Sequence, residues 1–91
     1  MKNILLVDDN PLMLKFVDDL LEKEDYKVVT ANDGLSALDI LKTYTPDVIF
    51  VDLIMPNING KKLIKIIRNI PKLKDVVLLP ISWRKPGKFS V

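Results

Sequence analysis

An open α/β sheet, mainly parallel and covered by helices on both faces, is the fold predicted by this chain of 91 residues. Four short apolar runs recur, Ile4 to Val7, Lys27 to Ala31, Val48 to Val51 and Val76 to Ile81. Helical periodicities separate them, and the resulting β-α-β-α-β-α-β order joins neighbouring parallel strands through right-handed crossovers. The second run is the weakest strand, resting on Val28 and Val29.

The first helix has Asn10 as its cap and Pro11 at its first position, and Met13, Phe16, Val17, Leu20 and Leu21 recur at three- and four-residue spacing. In the second, Asn32 or Asp33 caps, Leu38 and Leu41 share a face with Leu35 or Ala37, and Pro46 ends any continuation. The third starts near Gly60, buries Leu63, Ile66, Ile67 and Ile70, and stops at Pro71.

With 48% hydrophobic residues the chain can bury one modest core, as a single domain. It has neither cysteine nor histidine. That excludes disulfides, thiolate metal sites and imidazole bases, so any metal must be a hard ion bound by oxygen. No apolar run approaches the roughly 18 residues of a membrane span, and the N-terminus lacks the features of a signal peptide, so a cytoplasmic location is expected. The net charge of +2 hides an asymmetry: all 12 acids lie at or before Asp75, whereas Arg84, Lys85 and Lys88 crowd the end. Without that tail the balance is slightly acidic, and no nucleic-acid binding is expected.

Asp52 stands directly after Val48-Ile49-Phe50-Val51, and Asp8-Asp9 directly after Ile4-Leu5-Leu6-Val7. In open α/β sheets the reactive site lies outside the carboxyl ends of the strands, where strand order reverses. Three carboxylates meeting there call for a divalent cation. Each acid has a plainer reading by itself. Asp18-Asp19 shows that such pairs also occur on a polar helix face, and Pro56 and Gly60 can be ordinary turn residues. The information lies in the set at one sheet edge.

That set resembles the receiver domain of two-component response regulators. Ile4-Leu5-Leu6-Val7-Asp8-Asp9-Asn10, Val51-Asp52-Leu53-Ile54-Met55-Pro56, Asn59-Gly60 and Ser82 fall in family order and at family-like spacing, and the likeness covers residues 2 to 83. It implies a flavodoxin-like open parallel sheet of order 2-1-3-4. It also implies that Asp52 accepts a phosphoryl group from the phosphohistidine of a histidine kinase or phosphotransfer protein. Asp9, Asp52 and the backbone carbonyl of Ile54 would ligate Mg²⁺, Asp8 would assist through bound water, and Ser82 would be the hydroxyl that senses the phosphoryl oxygen. Such a chain is a signalling module, assisting only its own phosphorylation and dephosphorylation.

The family pattern continues past this sequence, with two more helices, a fifth strand, an aromatic switch residue and a lysine. The expected organisation is therefore a shortened receiver over 1–83 and a basic, disordered tail over 84–91. Losing a preorganised charge-stabilising donor such as that lysine costs about 3 kcal/mol, roughly 10²-fold in rate. Lys85-Pro86 copies the family's lysine-proline pair, only three residues after Ser82. Lys85 is thus the candidate substitute, against the plainer reading of a solvated tail lysine. Pro80 suits an edge strand. The uncovered fourth strand and sheet face predict a homodimer. Trp83 either closes over the site or packs into the space left by the missing helices.

The alternative within the family is a degenerate receiver that docks or oligomerises without being phosphorylated. Haloacid-dehalogenase-like phosphotransferases need an acid two residues after the nucleophile, and position 54 is Ile. A dinucleotide enzyme needs a glycine-rich turn after the first strand, which glycines at 34, 60 and 87 cannot make.

Overall fold

Strands β1 (Asn3–Val7), β2 (Lys27–Ala31), β3 (Val48–Asp52) and β4 (Val77–Ile81) alternate with helices α1 (Pro11–Lys23), α2 (Gly34–Leu41) and α3 (Gly60–Arg68). A short 3-10 turn, Pro71–Leu73, leads into β4. This is a computed structural model, and it describes residues 2–55 and 58–81. All neighbouring strands are parallel, in the order β2-β1-β3-β4 that the family resemblance implies, and the fold is flavodoxin-like.

Alternation along the strands divides the molecule into two unequal layers. Leu5, Val7, Ala31, Ile49 and Val51 point to one face, where they pack with Ala37 and Leu41 of α2, Leu63 and Ile67 of α3, and Leu73. That side is the core. Ile4 and Leu6 point to the opposite face and are also buried, yet α1, which lies over β1 and β2, contains no buried residue. Of its apolar stripe, Met13, Val17 and Leu21 are half-buried, whereas Phe16 and Leu20 are exposed.

Local chemistry fixes the element ends. Asn10 Oδ1 accepts from the N–H groups of Leu12 and Met13 at 3.0 and 3.3 Å, capping α1 as predicted. At α2 the cap is Asp33, through Ser36 N–H at 2.8 Å, and Ala37 rather than Leu35 joins the buried face. That helix ends at Leu41, well before Pro46, in turns donated by Lys42 and Thr43 N–H. Helix α3 ends at Arg68; Ile66 and Ile70 are only half-buried, Ile70 lying beyond the helix.

Two side chains hold the strands in register from their N-terminal side. Asp47 accepts Asn3 N–H on Oδ2 at 2.8 Å, donates its own N–H to Asn3 O, and accepts Val77 N–H on its carbonyl, tying together the starts of β1, β3 and β4. Arg68 donates to Val76 O at 2.9 Å, fixing the approach to β4. Val76 faces the core and is buried, so β4 begins one residue later than the apolar run suggests. Exposure on β4 falls instead on Val77, Leu79 and Pro80. No helix among the described residues is long and apolar enough to cross a membrane.

The two layers should respond differently to truncation. Leu63→Ala, in the fully buried layer, is expected to cost about 2–5 kcal/mol in urea unfolding, and Leu20→Ala, on the exposed flank of α1, less than about 1 kcal/mol.

Candidate functional site

Strand order reverses between β1 and β3, which sit side by side with Val7 paired to Val51. One residue further along each strand come Asp8 and Asp52, so this register sets two carboxyl groups next to each other at the C-terminal edge of the sheet. Asp9 follows in the turn to α1. One carboxylate oxygen from each of Asp8, Asp9 and Asp52 lies within 4.8 Å of the others.

Local hydrogen bonds orient two members of this cluster. Asp8 Oδ1 accepts Asn10 N–H at 2.9 Å, and Asp52 Oδ1 accepts Ile54 N–H at 3.0 Å. Both are local Asp turns that bend the chain away from the strand end. The Ile54 side chain is exposed, while Met55 is buried at the edge of the core. On the far side of Asp52, Leu53 N–H donates to Ile81 O at 2.9 Å and Gly60 N–H to Leu53 O at 3.2 Å, so the loop is tied to both β4 and α3. A Cβ at Gly60 would sit 2.3 Å from Asp52 O and 2.5 Å from Leu53 Cα. Only glycine lets α3 start this close to the acid-bearing strand end. Asn59 caps that helix through Lys62 N–H at 2.9 Å.

Asp8 and Asp52 are the two fully buried charged side chains among the described residues, with Asp9 half-buried beside them. Burial is the main reason the Asp52 carboxyl is pushed up from 3.8 to about 6. The Ile54 N–H pulls it down, and Asp8 raises it again through a hydrogen bond and through its charge. Carboxylates crowded in this way, with no thiol or imidazole available, form a donor set suited to a hard divalent cation. Such an ion would offset both the desolvation and the like-charge repulsion.

Several residues singled out in the sequence, Pro56, Ser82, Trp83, Lys85 and the tail 84–91, lie outside the described residues. One contributor, Asp47, belongs to no motif of the sequence; another, Gly60, does, but without the contact that the fold gives it. Asp47 ties together the starts of β1, β3 and β4, and its only sequence signal is an acid just before the third apolar run. The contact of Gly60 with the Asp52 backbone has no sequence signal beyond the glycine itself.

Parallel order, switch-point carboxylates and a glycine-opened third helix together define an open α/β sheet with an acidic site at its switch point. A family model described as the response regulator receiver domain matches residues 4–85, and the chain belongs to that family. Among curated proteins it is similar to the polar-differentiation response regulator DivK of Brucella anthropi, 28% identical over 81 residues. That match covers 89% of this chain and 66% of the relative, so the chain spans about two-thirds of the length of the curated relatives it matches. Among solved structures, the chemotaxis response regulator CheY4 of Vibrio cholerae is 31% identical with a TM-score of 0.88, over 99% of this chain and 76% of that one. The response regulator TrrA of Thermotoga maritima, solved in complex with Mg²⁺-BeF, is 31% identical with a TM-score of 0.84, over 97% and 75%.

Because the Asp52 carboxyl ionises near 3.8 when unfolded and near 6 when folded, the metal-free fold loses stability as pH rises through about 6. Asp52→Asn removes this penalty while keeping the acceptor for Ile54 N–H. In EDTA at about pH 7.5 the variant should melt higher than wild type, on the order of 5 °C for a domain of this size. The difference should shrink below about pH 5 and disappear by about pH 3, where the carboxyl is neutral in both states.

Proposed function

We propose that Asp52 accepts a phosphoryl group from the phosphohistidine of a sensor histidine kinase or phosphotransfer protein, and that the new charge alters the surface offered to protein partners. The observation carrying this reading is the gathering of Asp8, Asp9 and Asp52 oxygens within 4.8 Å at the switch point of a receiver sheet. An Asp52 oxygen attacks phosphorus in line as the bond from phosphorus to the imidazole nitrogen breaks, and the ring leaves neutral after taking up a proton. The bond from Ile54 N–H to Oδ1 orients the carboxylate for this attack.

Asp9, Asp52 and the Ile54 backbone carbonyl would hold Mg²⁺, with Asp8 reaching it through bound water. When bound, Mg²⁺ supplies the charge neutralisation that an anionic nucleophile needs to approach an anionic phosphoryl group. Ser82 is assigned the hydroxyl that bonds the transferred group, and Lys85 the cation that substitutes for the family's lysine. The donor docks on α1 and the loops around Asp52, in the cytoplasm, and neither nucleic acid nor a membrane is a partner.

Incubation with a small acyl-phosphate donor and Mg²⁺, followed by intact-mass analysis, tests this reading. Wild type should gain one hydroxylamine-sensitive phosphoryl group, and Asp52→Asn none. EDTA should reduce labelling by at least about 10²-fold, the scale of losing a transition-state charge partner. Equal labelling of Asp52→Asn would refute the assignment.

A further inference from the structure

Helix α2 opens with Gly34, which is buried and has no positive φ, so its backbone suits any residue. Glycine is also among the poorest helix formers. What calls for it is the side chain lying against it. A Cβ at Gly34 would sit 2.9 Å from Ile58 Cβ, 3.2 Å from Ile58 Cγ2 and 3.4 Å from Ile58 O. Because the closest of these atoms is bonded directly to the Ile58 backbone, no change of rotamer makes room. The chain at Ile58 would itself have to retreat, by about 0.5 Å, to reach ordinary contact at 3.4 Å.

Ile58 belongs to the segment that joins β3 to α3. It is half-buried against the core, and it precedes Asn59, the cap of α3, in the position from which an apolar side chain staples a helix start. Two residues on, Gly60 abuts Asp52 O and donates its N–H to Leu53 O. A displacement of Ile58 is therefore passed through Asn59 and Gly60 to the backbone of Asp52 and Leu53, next to the Ile54 N–H that orients Asp52 Oδ1. Helix α2 is held from the other half of the site as well, because Ala31 O, three residues before Gly34, accepts Asp8 N–H at 3.1 Å. The first turn of α2 is thus linked to both acid-bearing strand ends.

We infer that Gly34 is a positioning residue for Asp52: its bare Cα is the seat on which Ile58 rests, and that seat fixes the segment that aims the Asp52 carboxylate. This role rests on the reading of Asp52 as phosphoacceptor, and it falls to a residue outside the motifs of the family resemblance. A misplacement of about 1 Å originating away from the chemistry costs on the order of 10²-fold in rate, so half that displacement predicts a loss of about tenfold.

The test compares labelling rates with a small acyl-phosphate at saturating Mg²⁺ and donor, read by intact mass. Wild type is set beside Gly34→Ala, Ile58→Gly, the double variant and Ile67→Val, the last of which trims the buried core deeper in α3. Circular dichroism checks that each keeps its fold. Gly34→Ala should label about tenfold more slowly than wild type, and Ile67→Val at nearly the wild-type rate. In the Ile58→Gly background the nearest remaining neighbour of the added methyl is the carbonyl oxygen at position 58, 3.4 Å away, so Gly34→Ala should no longer slow labelling. In the metal-free protein the Ile54 amide resonance should likewise move on Gly34→Ala, and stay in place when the same change is made in Ile58→Gly. Labelling of Gly34→Ala at the wild-type rate, equal slowing in both backgrounds, or equal slowing by Ile67→Val overturns the role of Gly34. If wild type takes up no phosphoryl group, the reading of Asp52 fails, and the Ile54 resonance alone still decides whether Gly34 positions the carboxylate.

Discussion

The pairing of Val7 with Val51 is the constraint on which the site depends. Because β1 and β3 run parallel in this register, the residue after one strand and the last residue of the other must be neighbours, and both are aspartates. The fold thereby forces together charges that would separate in water. It holds them with a rigid core behind and short Asp turns in front, and the result is a buried carboxyl at Asp52 that ionises near pH 6. A one-residue slip of β3 would turn Asp52 to the opposite face and dissolve the cluster.

Packing explains why the register does not slip. Leu5, Val7, Ile49 and Val51 are fully buried on the side of α2 and α3, and a slip would exchange them for their neighbours on the thinner side. Asp47 adds a polar lock at the opposite end of the same strands, where it engages Asn3 and Val77. Gly60 then allows α3 to begin against the Asp52 backbone, so the loop after β3 is short and tied down. Core, lock and glycine all bear on the position of a single carboxyl group.

Much of this was legible in the sequence because strands buried in a parallel sheet are continuous apolar runs, and the acids stand directly at their ends. Element order, the caps at Asn10 and near Asp33, and the sheet order follow from such local signals together with the family likeness. Side-chain exposure was less legible. Phe16 and Leu20 continue the spacing of Met13, Val17 and Leu21, yet they lie on a flank that no described element covers; periodicity reports which residues share a stripe, not how wide the covering surface is. The end of the third helix was also misplaced, since α3 closes in backbone turns before Pro71 is reached. The contact between Gly60 and Asp52 is tertiary and has no local signature.

Calorimetric titration of Mg²⁺ into the metal-free protein tests the central claim, that residues 8, 9 and 52 form one cation site built by the β1–β3 register. Wild type should show a single saturable site whose binding releases protons near pH 6, because Asp52 must ionise to take part. Asp9→Asn and Asp52→Asn should each weaken binding by at least about tenfold. Undetectable binding by wild type at millimolar Mg²⁺, or wild-type affinity in either variant, would contradict the account.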